Sequence, residues 1–179
     1  NGFYFLKNKK ALVKERIERQ KIAERKWKKL KRIAKWFQMI PYIEMVAVSG
    51  SLSLNNTKKE SDLDLLVSSR SGRIWTVRIL LSGFLQLIGQ RRHNQKIKDK
   101  ICLNQYLTPK SLRMPLKNLS NAHSYGRLIP ILGLSQYREF LKNNQCLKNY
   151  LPLYMREAKP PAYQNNLRII KQNKFLRFI

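Results

Sequence analysis

One stretch of the sequence, residues 45–67, constrains the fold more than any other. It begins with an apolar run at residues 45–48, continues through a Gly-Ser turn and a polar loop, and ends at residues 61–67, where polar and apolar side chains alternate. Short apolar runs rich in β-branched residues and alternating segments are both typical of strands. The stretch therefore predicts two strands joined by a polar connection.

The second predicted strand carries two aspartates, Asp62 and Asp64. Residues two apart in a strand share a face, so the two carboxylates point the same way while Leu63, Leu65 and Val67 point into a core. Neighbouring carboxylates repel each other unless a cation lies between them. Paired oxygen ligands with no adjacent His or Cys favour Mg²⁺ or Mn²⁺ over zinc. The pattern predicts a divalent-metal site at Asp62 and Asp64.

The turn before the polar loop contributes Gly50 and Ser51. Glycine lets the backbone come close to a ligand, and a serine hydroxyl and nearby amides donate hydrogen bonds to phosphate. The loop then carries Lys58 and Lys59, which either meet the charge of a triphosphate or are solvated by water.

Gly50-Ser51, followed after ten residues by Asp62-Leu63-Asp64-Leu65, resembles the signature of the DNA polymerase β-type nucleotidyltransferase superfamily. The resemblance is greatest to its small bacterial and archaeal stand-alone domains, and it covers residues 33–107. It implies Mg²⁺-dependent transfer of a nucleoside monophosphate from an NTP, expected to be ATP, to an acceptor, with release of pyrophosphate. The residues predicted to bind the nucleotide are Gly50, Ser51, Lys58, Lys59, Ser61 and Arg73.

A third strand is predicted at residues 101–107, and the superfamily usually takes a third carboxylate from it. By alternation, one face of this strand carries Ile101, Leu103 and Leu107, and the other carries Cys102, Asn104 and Tyr106. The third aspartate of the chain, Asp99, has the parity of the core-facing residues. The catalytic position is therefore occupied either by Asn104, which cannot act as a base, or by Asp99 if a bulge turns it toward Asp62 and Asp64.

Residues 9–38 lack Gly and Pro and predict one long helix with an apolar stripe on which Val13, Ile17, Trp27, Leu30, Ala34 and Phe37 lie. Lys and Arg cover its other faces, in a chain whose formal net charge is +27. Two interpretations stay open. The helix lies along nucleic acid or acidic lipid, or it packs on the domain and its basic face is solvated.

The remaining pattern completes an α/β prediction: a small mixed sheet, a long basic N-terminal helix and C-terminal helices. We expect a largely buried helix at residues 73–89, and two or three short helices at residues 120–150. The predicted domain covers residues 9–150. Residues 1–8 are interpreted as a remnant of an upstream module and residues 151–179 as a basic tail.

Two cysteines without metal-ligand spacing, Cys102 and Cys146, indicate buried thiols in a reducing cytoplasm. The longest apolar run, residues 79–88, is too short to span a bilayer, so no stable membrane insertion is expected. The second hypothesis for function is a non-catalytic nucleotide- or RNA-binding protein that keeps the metal pair and lacks the base.

Overall fold

A computed structural model of the chain describes residue 7 and residues 10–94, 97–114 and 118–151. The five helices of this part are α1 (Ala11–Ala34), α2 (Gly50–Ser53), α3 (Ile74–Leu87), α4 (Leu119–Tyr125) and α5 (Leu134–Asn143). The four strands are β1 (Ile43–Val48), β2 (Leu63–Ser69), β3 (Ile101–Leu107) and β4 (Ile129–Leu132). Most of the predicted upstream remnant, and the predicted tail after residue 151, lie outside the described residues.

The four strands form one mixed sheet in the order β3-β2-β1-β4. β1 pairs antiparallel with both β2 and β4, whereas β2 and β3 are parallel. The parallel pair is connected through α3, as parallel neighbours require a crossover. This arrangement confirms the predicted α/β class and places β2, the strand that begins after Asp62, inside the sheet.

The sheet is buried on both faces. On one face, Val46, Val48, Leu63, Leu65 and Val67 pack with α1 and α3. The other face carries a second cluster, whose buried members are Met45, Ala47, Leu66, Leu107, Leu112, Met114, Leu128 and Phe140. Burial on both sides explains why β1 and the second half of β2 are continuous apolar runs rather than alternating segments.

Helix α1 packs on the sheet through one stripe, as predicted, and the side chains of Trp27, Leu30, Ala34 and Phe37 are buried there. The beginning of the helix differs from the prediction, because Ile17 is 40% exposed. The chain tightens into a 3₁₀ turn at Lys35–Met39 before β1 begins.

Strand β4 is absent from the sequence-based prediction, which gave only helices for residues 120–150. Its sequence, Ile-Pro-Ile-Leu, contains Pro130, and proline normally argues against a strand because it cannot donate to a ladder. β4 lies at the edge of the sheet, paired only with β1 among the described strands, and an edge position tolerates the missing N–H.

Helix α3 is less buried than predicted. Val77, Leu81 and Leu85 face the core. Five large apolar side chains of this segment are exposed, those of Trp75, Ile79, Leu80, Leu87 and Ile88. The helix is apolar on most of its circumference, so periodicity alone does not define which stripe meets the sheet. No helix in the described part of the chain has both the length and the hydropathy of a membrane span.

Candidate active site

The turn after β1 is built to bring the backbone against Asp64. Gly50 adopts φ +64°, a left-handed conformation that favours glycine. A Cβ atom at this position would overlap Oδ2 of Asp64. The backbone N–H of Ser49 donates to the carbonyl oxygen of Asp64 at 3.0 Å, which fixes the turn to β2. Glycine is therefore required at position 50 for both its conformation and its lack of a side chain.

Asp62 and Asp64 lie side by side at the beginning of β2, as the alternation predicts. Leu63 and Leu65 are fully buried between the sheet and the helices, so the two carboxylates are directed to the opposite face. Oxygen atoms of both carboxylates and Sγ of Cys102 all lie within 4.8 Å of one another. The thiol joins the cluster because Asp64 and Cys102 are direct partners in the parallel β2–β3 ladder.

The position of Cys102 differs from the expectation that Asn104 or Asp99 faces the carboxylates. The ladder shifts by one residue between the pairs Leu65–Leu103 and Leu66–Gln105, which leaves Asn104 unpaired and exposed. A bulge of this kind reverses the alternation beyond it. As a result, Tyr106 packs with the α1–α3 cluster while Leu107 belongs to the opposite one. The predicted grouping of Tyr106 with Cys102, and of Leu107 with Ile101, is wrong for this reason.

Asp99 lies before β3 and is held by helix α1. Its carboxylate forms an ion pair with Nζ of Lys26 at 2.9 Å, and its carbonyl oxygen accepts from Nζ of Lys29 at 2.7 Å. The backbone N–H of Asp99 donates to the carbonyl oxygen of Ser61 at 3.2 Å. Among the described residues, the cluster able to bind a metal does not include Asp99. The catalytic roles of Asp99 and Asn104 stay predictions that these positions do not favour.

A guanidinium balances part of the negative charge of the pair. Nη1 of Arg92 lies 2.6 Å from Oδ2 of Asp62 and 3.8 Å from Sγ of Cys102. The backbone places it there, since the N–H of Arg92 donates to the carbonyl oxygen of Ile101 at 2.9 Å. Burial, and then the charge of Asp62, raise the pKa of Asp64, while Arg92 opposes the shift. Burial also raises the pKa of the Cys102 thiol, and its contact with Arg92 opposes the shift.

The donor set fits a divalent cation that prefers oxygen. Two carboxylates converge, and burial together with the charge of Asp62 raises the pKa of Asp64, so added positive charge would favour the ionised pair. Mg²⁺ typically uses one or two carboxylates and completes its shell with water and phosphate oxygens. The Cys102 thiol adds little to such a site, because Mg²⁺ and Mn²⁺ prefer oxygen ligands and soft sulfur ligands suit other metals.

The predicted nucleotide-binding residues between β1 and β2 differ in their exposure. Ser51 is partly buried in α2, one residue after Gly50, and Lys58 and Lys59 are exposed on the loop before β2. The carbonyl oxygens of Lys59 and Ser61 accept hydrogen bonds from Nζ of Lys26, so α1 holds the backbone that leads into Asp62.

Arg73 is not brought to the carboxylates. Its guanidinium lies 5.0 Å from the ring centroid of Tyr42, next to the end of the sheet where Ile43 pairs with Ser69. Asp62 precedes the other end of the same strand. Nucleotide binding by Arg73 stays a prediction, and its location does not favour it.

Two residues of the cluster were missed by the reasoning from sequence. Arg92 was assigned no role, although a guanidinium just before a predicted strand is a natural counterion for acidic residues on the neighbouring strand. Cys102 was placed on the correct face, but the parallel register that sets it beside Asp64 cannot be derived from alternation.

The comparison with protein families agrees with the geometry. The family model of the nucleotidyltransferase domain matches residues 27–118, which is more than half of the 179-residue chain. The chain belongs to this family, as the Gly-Ser and Asp-x-Asp pattern predicted. It is a transferase of phosphorus-containing groups, and its general chemistry is nucleotidyl transfer. No curated protein and no solved structure matches it significantly.

Proposed function

We propose that Asp62 and Asp64 hold Mg²⁺ or Mn²⁺ and that the chain transfers a nucleoside monophosphate from an NTP, with ATP as the preferred donor. The observation that carries this proposal is the convergence of the two carboxylates, within 4.8 Å, against a turn that has no side chain at Gly50. A bound divalent cation supplies positive charge where the triphosphate and the departing pyrophosphate carry negative charge.

Residues between β1 and β2 have proposed roles in binding the triphosphate. The turn at Gly50 and Ser51 lies on the β1 side of Asp64 and is the proposed binding place for the β- and γ-phosphates. Lys58 and Lys59 are exposed on the following loop, and solvent-accessible ammonium groups there add attraction for the triphosphate. In the reaction, an acceptor hydroxyl oxygen forms a bond to the α-phosphorus, and the bond from that phosphorus to pyrophosphate breaks.

Isothermal titration with ATP in the presence of Mg²⁺, and again with the metal chelated, tests the donor and metal assignments. We expect binding to depend on the metal and to weaken at least about 100-fold in Asp62→Asn or Asp64→Asn, because each removes a charged ligand. Glu60→Gln is the matched control, since Glu60 is exposed next to the same strand and the change in charge is identical. Equal affinity in all four proteins would refute the assignment.

Nucleic acid is a second proposed partner, through the outer face of α1. Several basic side chains of this helix are used internally, among them Arg16, Lys26 and Lys29. The basic residues of α1 that stay exposed are Lys14, Lys21, Arg25, Lys28 and Arg32. If this face binds RNA or DNA, affinity falls steeply with salt because bound phosphates release counterions, and replacing Lys21, Lys28 and Arg32 by Gln flattens the slope. An unchanged slope would mean that the face is only solvated.

The two cysteines bear on the expected cellular location of the protein. Cys102 and Cys146 are both free thiols, which is the state that a reducing cytoplasm maintains. We therefore propose a cytoplasmic enzyme.

A further inference from the structure

A cavity of about 350 Å³ opens beside β3, at the edge of the sheet. Three guanidiniums line it, those of Arg78, Arg91 and Arg92, together with Tyr106, Ser82 and Cys102. No carboxylate is among its lining residues. Arginine donates in a planar fork that matches the oxygens of phosphate, so three such groups around one small cavity select for an anion.

Two of the three arginines have contacts that place them beside β3. The guanidinium of Arg78 lies 5.6 Å from the ring centroid of Tyr106 and 5.4 Å from that of Trp75, and these contacts hold it over β3. The backbone of Arg91 bridges to Ile101, the first residue of the same strand. Neither Arg78 nor Arg91 has an acidic partner among the ion pairs of the described residues.

The cavity begins on the α3 face of the sheet, where Arg78 and Tyr106 lie, and reaches the carboxylate pair around the edge strand β3, away from Gly50. Cys102 belongs both to the cavity and to the cluster with Asp62 and Asp64, and Arg92 lines the cavity while it contacts Asp62. The strand order places β1, with its Gly50 turn, on one side of β2 and β3 on the other. In phosphoryl transfer the attacking and leaving oxygens lie roughly in line with phosphorus. If the β- and γ-phosphates lie toward the Gly50 turn, the acceptor approaches from β3.

We propose that this cavity is the acceptor site and that the acceptor is a small phosphomonoester with a free hydroxyl group. This inference rests on the function proposed above, and it adds the class of the acceptor. Arg78 and Arg91 bind the phosphate of the acceptor, which directs its hydroxyl toward Asp62 and Asp64. The hydroxyl oxygen then bonds to the α-phosphorus of the NTP, pyrophosphate leaves with the electron pair of the broken bond, and the hydroxyl proton passes to water. The cavity volume suits one such molecule rather than a polymer.

Titration calorimetry with defined probes tests the proposal. The probes are uridine monophosphate and glucose 6-phosphate, each compared with its phosphate-free counterpart, uridine or glucose. All titrations are made with Mg²⁺ and a saturating ATP analogue whose α- and β-phosphorus are joined by a methylene group, so that no transfer occurs. We expect at least one phosphomonoester to bind under these conditions, and inorganic phosphate to compete with it. The relative affinities of the two monoesters identify the group that carries the phosphate.

The variants separate the cavity from general charge. In Arg78→Gln/Arg91→Gln we expect the affinity for the phosphomonoester to fall at least about tenfold, since each replacement removes a charge-assisted hydrogen bond. The control Arg138→Gln/Lys142→Gln removes the same charge from exposed positions on α5 and should leave the affinity unchanged. Arg91→Gln alone, at an exposed position, gives a milder change should the double variant unfold.

The failure of this proposal is distinguishable from the failure of the proposed function. Asp64→Asn should weaken metal-dependent ATP binding and leave phosphomonoester binding intact, whereas Arg78→Gln/Arg91→Gln should weaken phosphomonoester binding and leave metal-dependent ATP binding intact. Displacement of the phosphomonoester by the ATP analogue would show that the arginines bind the triphosphate, and it would overturn the inference. Equal binding of uridine or glucose, or binding of an oligoribonucleotide alone, would overturn it as well.

Discussion

The two strands that flank Asp64 meet it in different ways. On the β1 side, Gly50 adopts a left-handed conformation. Because it has no side chain, the carboxylate of Asp64 occupies the space that a methyl group would fill. On the β3 side, Asp64 is paired with Cys102, and an arginine-lined cavity lies beyond that thiol. On the β1 side, position 50 accepts only glycine. The β3 side lacks the carboxylate that the superfamily resemblance leads one to expect, and it carries positive charge instead.

This difference indicates which half of the site is shared chemistry and which half is particular to this chain. A close approach between backbone and carboxylate serves any nucleotide donor, because the phosphates of all NTPs are alike. The β3 side faces the acceptor, and acceptors differ. The comparison therefore predicts that changes on the β1 side reduce the reaction with every acceptor, whereas changes on the β3 side alter the rate or the choice of acceptor.

Gly50→Ala is the change with the largest expected effect. The added Cβ overlaps Oδ2 of Asp64, so the turn or the carboxylate has to move, and a displacement near 1 Å costs about 100-fold in rate. Pyrophosphate release from ATP measures the loss. Gly72→Ala is the matched control, because Gly72 has φ +75° and nothing within 4 Å of its Cβ position. Equal losses in both variants would mean that backbone strain matters and the contact with Asp64 does not.

Cys102→Asp tests the other side of the comparison. A carboxylate opposite Asp64 completes a set of three and can accept the proton of the acceptor, so turnover should rise by up to about 100-fold. Cys102→Asn, which adds no charge, is the control.

Asn104→Asp and Asp99→Asn should change turnover little, since Asn104 is exposed at the bulge and Asp99 is paired with Lys26. A gain in Asn104→Asp alone would show that the ladder is shifted from the register described here.

The outcome of the sequence-based prediction follows the same division. The β1–β2 half was predictable because it depends on local patterns: an apolar run, a glycine turn and alternation in which Leu63 and Leu65 define the buried face. The β3 half depends on a long-range parallel register and on one bulge at Asn104, which reverses the alternation after it. Parity counted along the sequence cannot detect an unpaired residue, so Tyr106 was assigned to the wrong face.

Charge left the interpretation of α1 open. Composition favours neither a packed nor a nucleic-acid-binding basic helix, because both have the same pattern. Contacts decide for individual residues: Lys26 is 3% exposed and reaches the backbone before Asp62.

Strand β4 was missed because Pro130 argues against a strand unless its edge position is known.

Lys26→Met measures how much α1 contributes to the placement of Asp62. The substitution removes an ion pair with Asp99 and hydrogen bonds to Lys59 and Ser61, so we expect a loss of about 1–3 kcal/mol in the free energy of unfolding. Urea denaturation gives this value. Lys28→Met, at an exposed position on the same helix, should cost much less. If the two variants are equally stable, the contacts of Lys26 contribute nothing to stability.

The smallest expected effect is a pH dependence that originates at Asp64. Burial and Asp62 raise the pKa of Asp64 above its ordinary value of 3.8, so the folded protein binds this proton more tightly than the unfolded chain. Stability in the metal-free protein should therefore fall as pH rises from about 3.8 through the raised pKa, and then level off.

Asp64→Asn removes this contribution, and its free energy of unfolding relative to the wild type should increase over the same interval when both are measured with EDTA present. Glu60→Gln should show no such trend. An opposite trend, with the wild type gaining on Asp64→Asn as pH rises, would mean that Arg92 stabilises the ionised carboxylate more than burial opposes it. In that case the β3 side would already supply the charge that we assign to the metal.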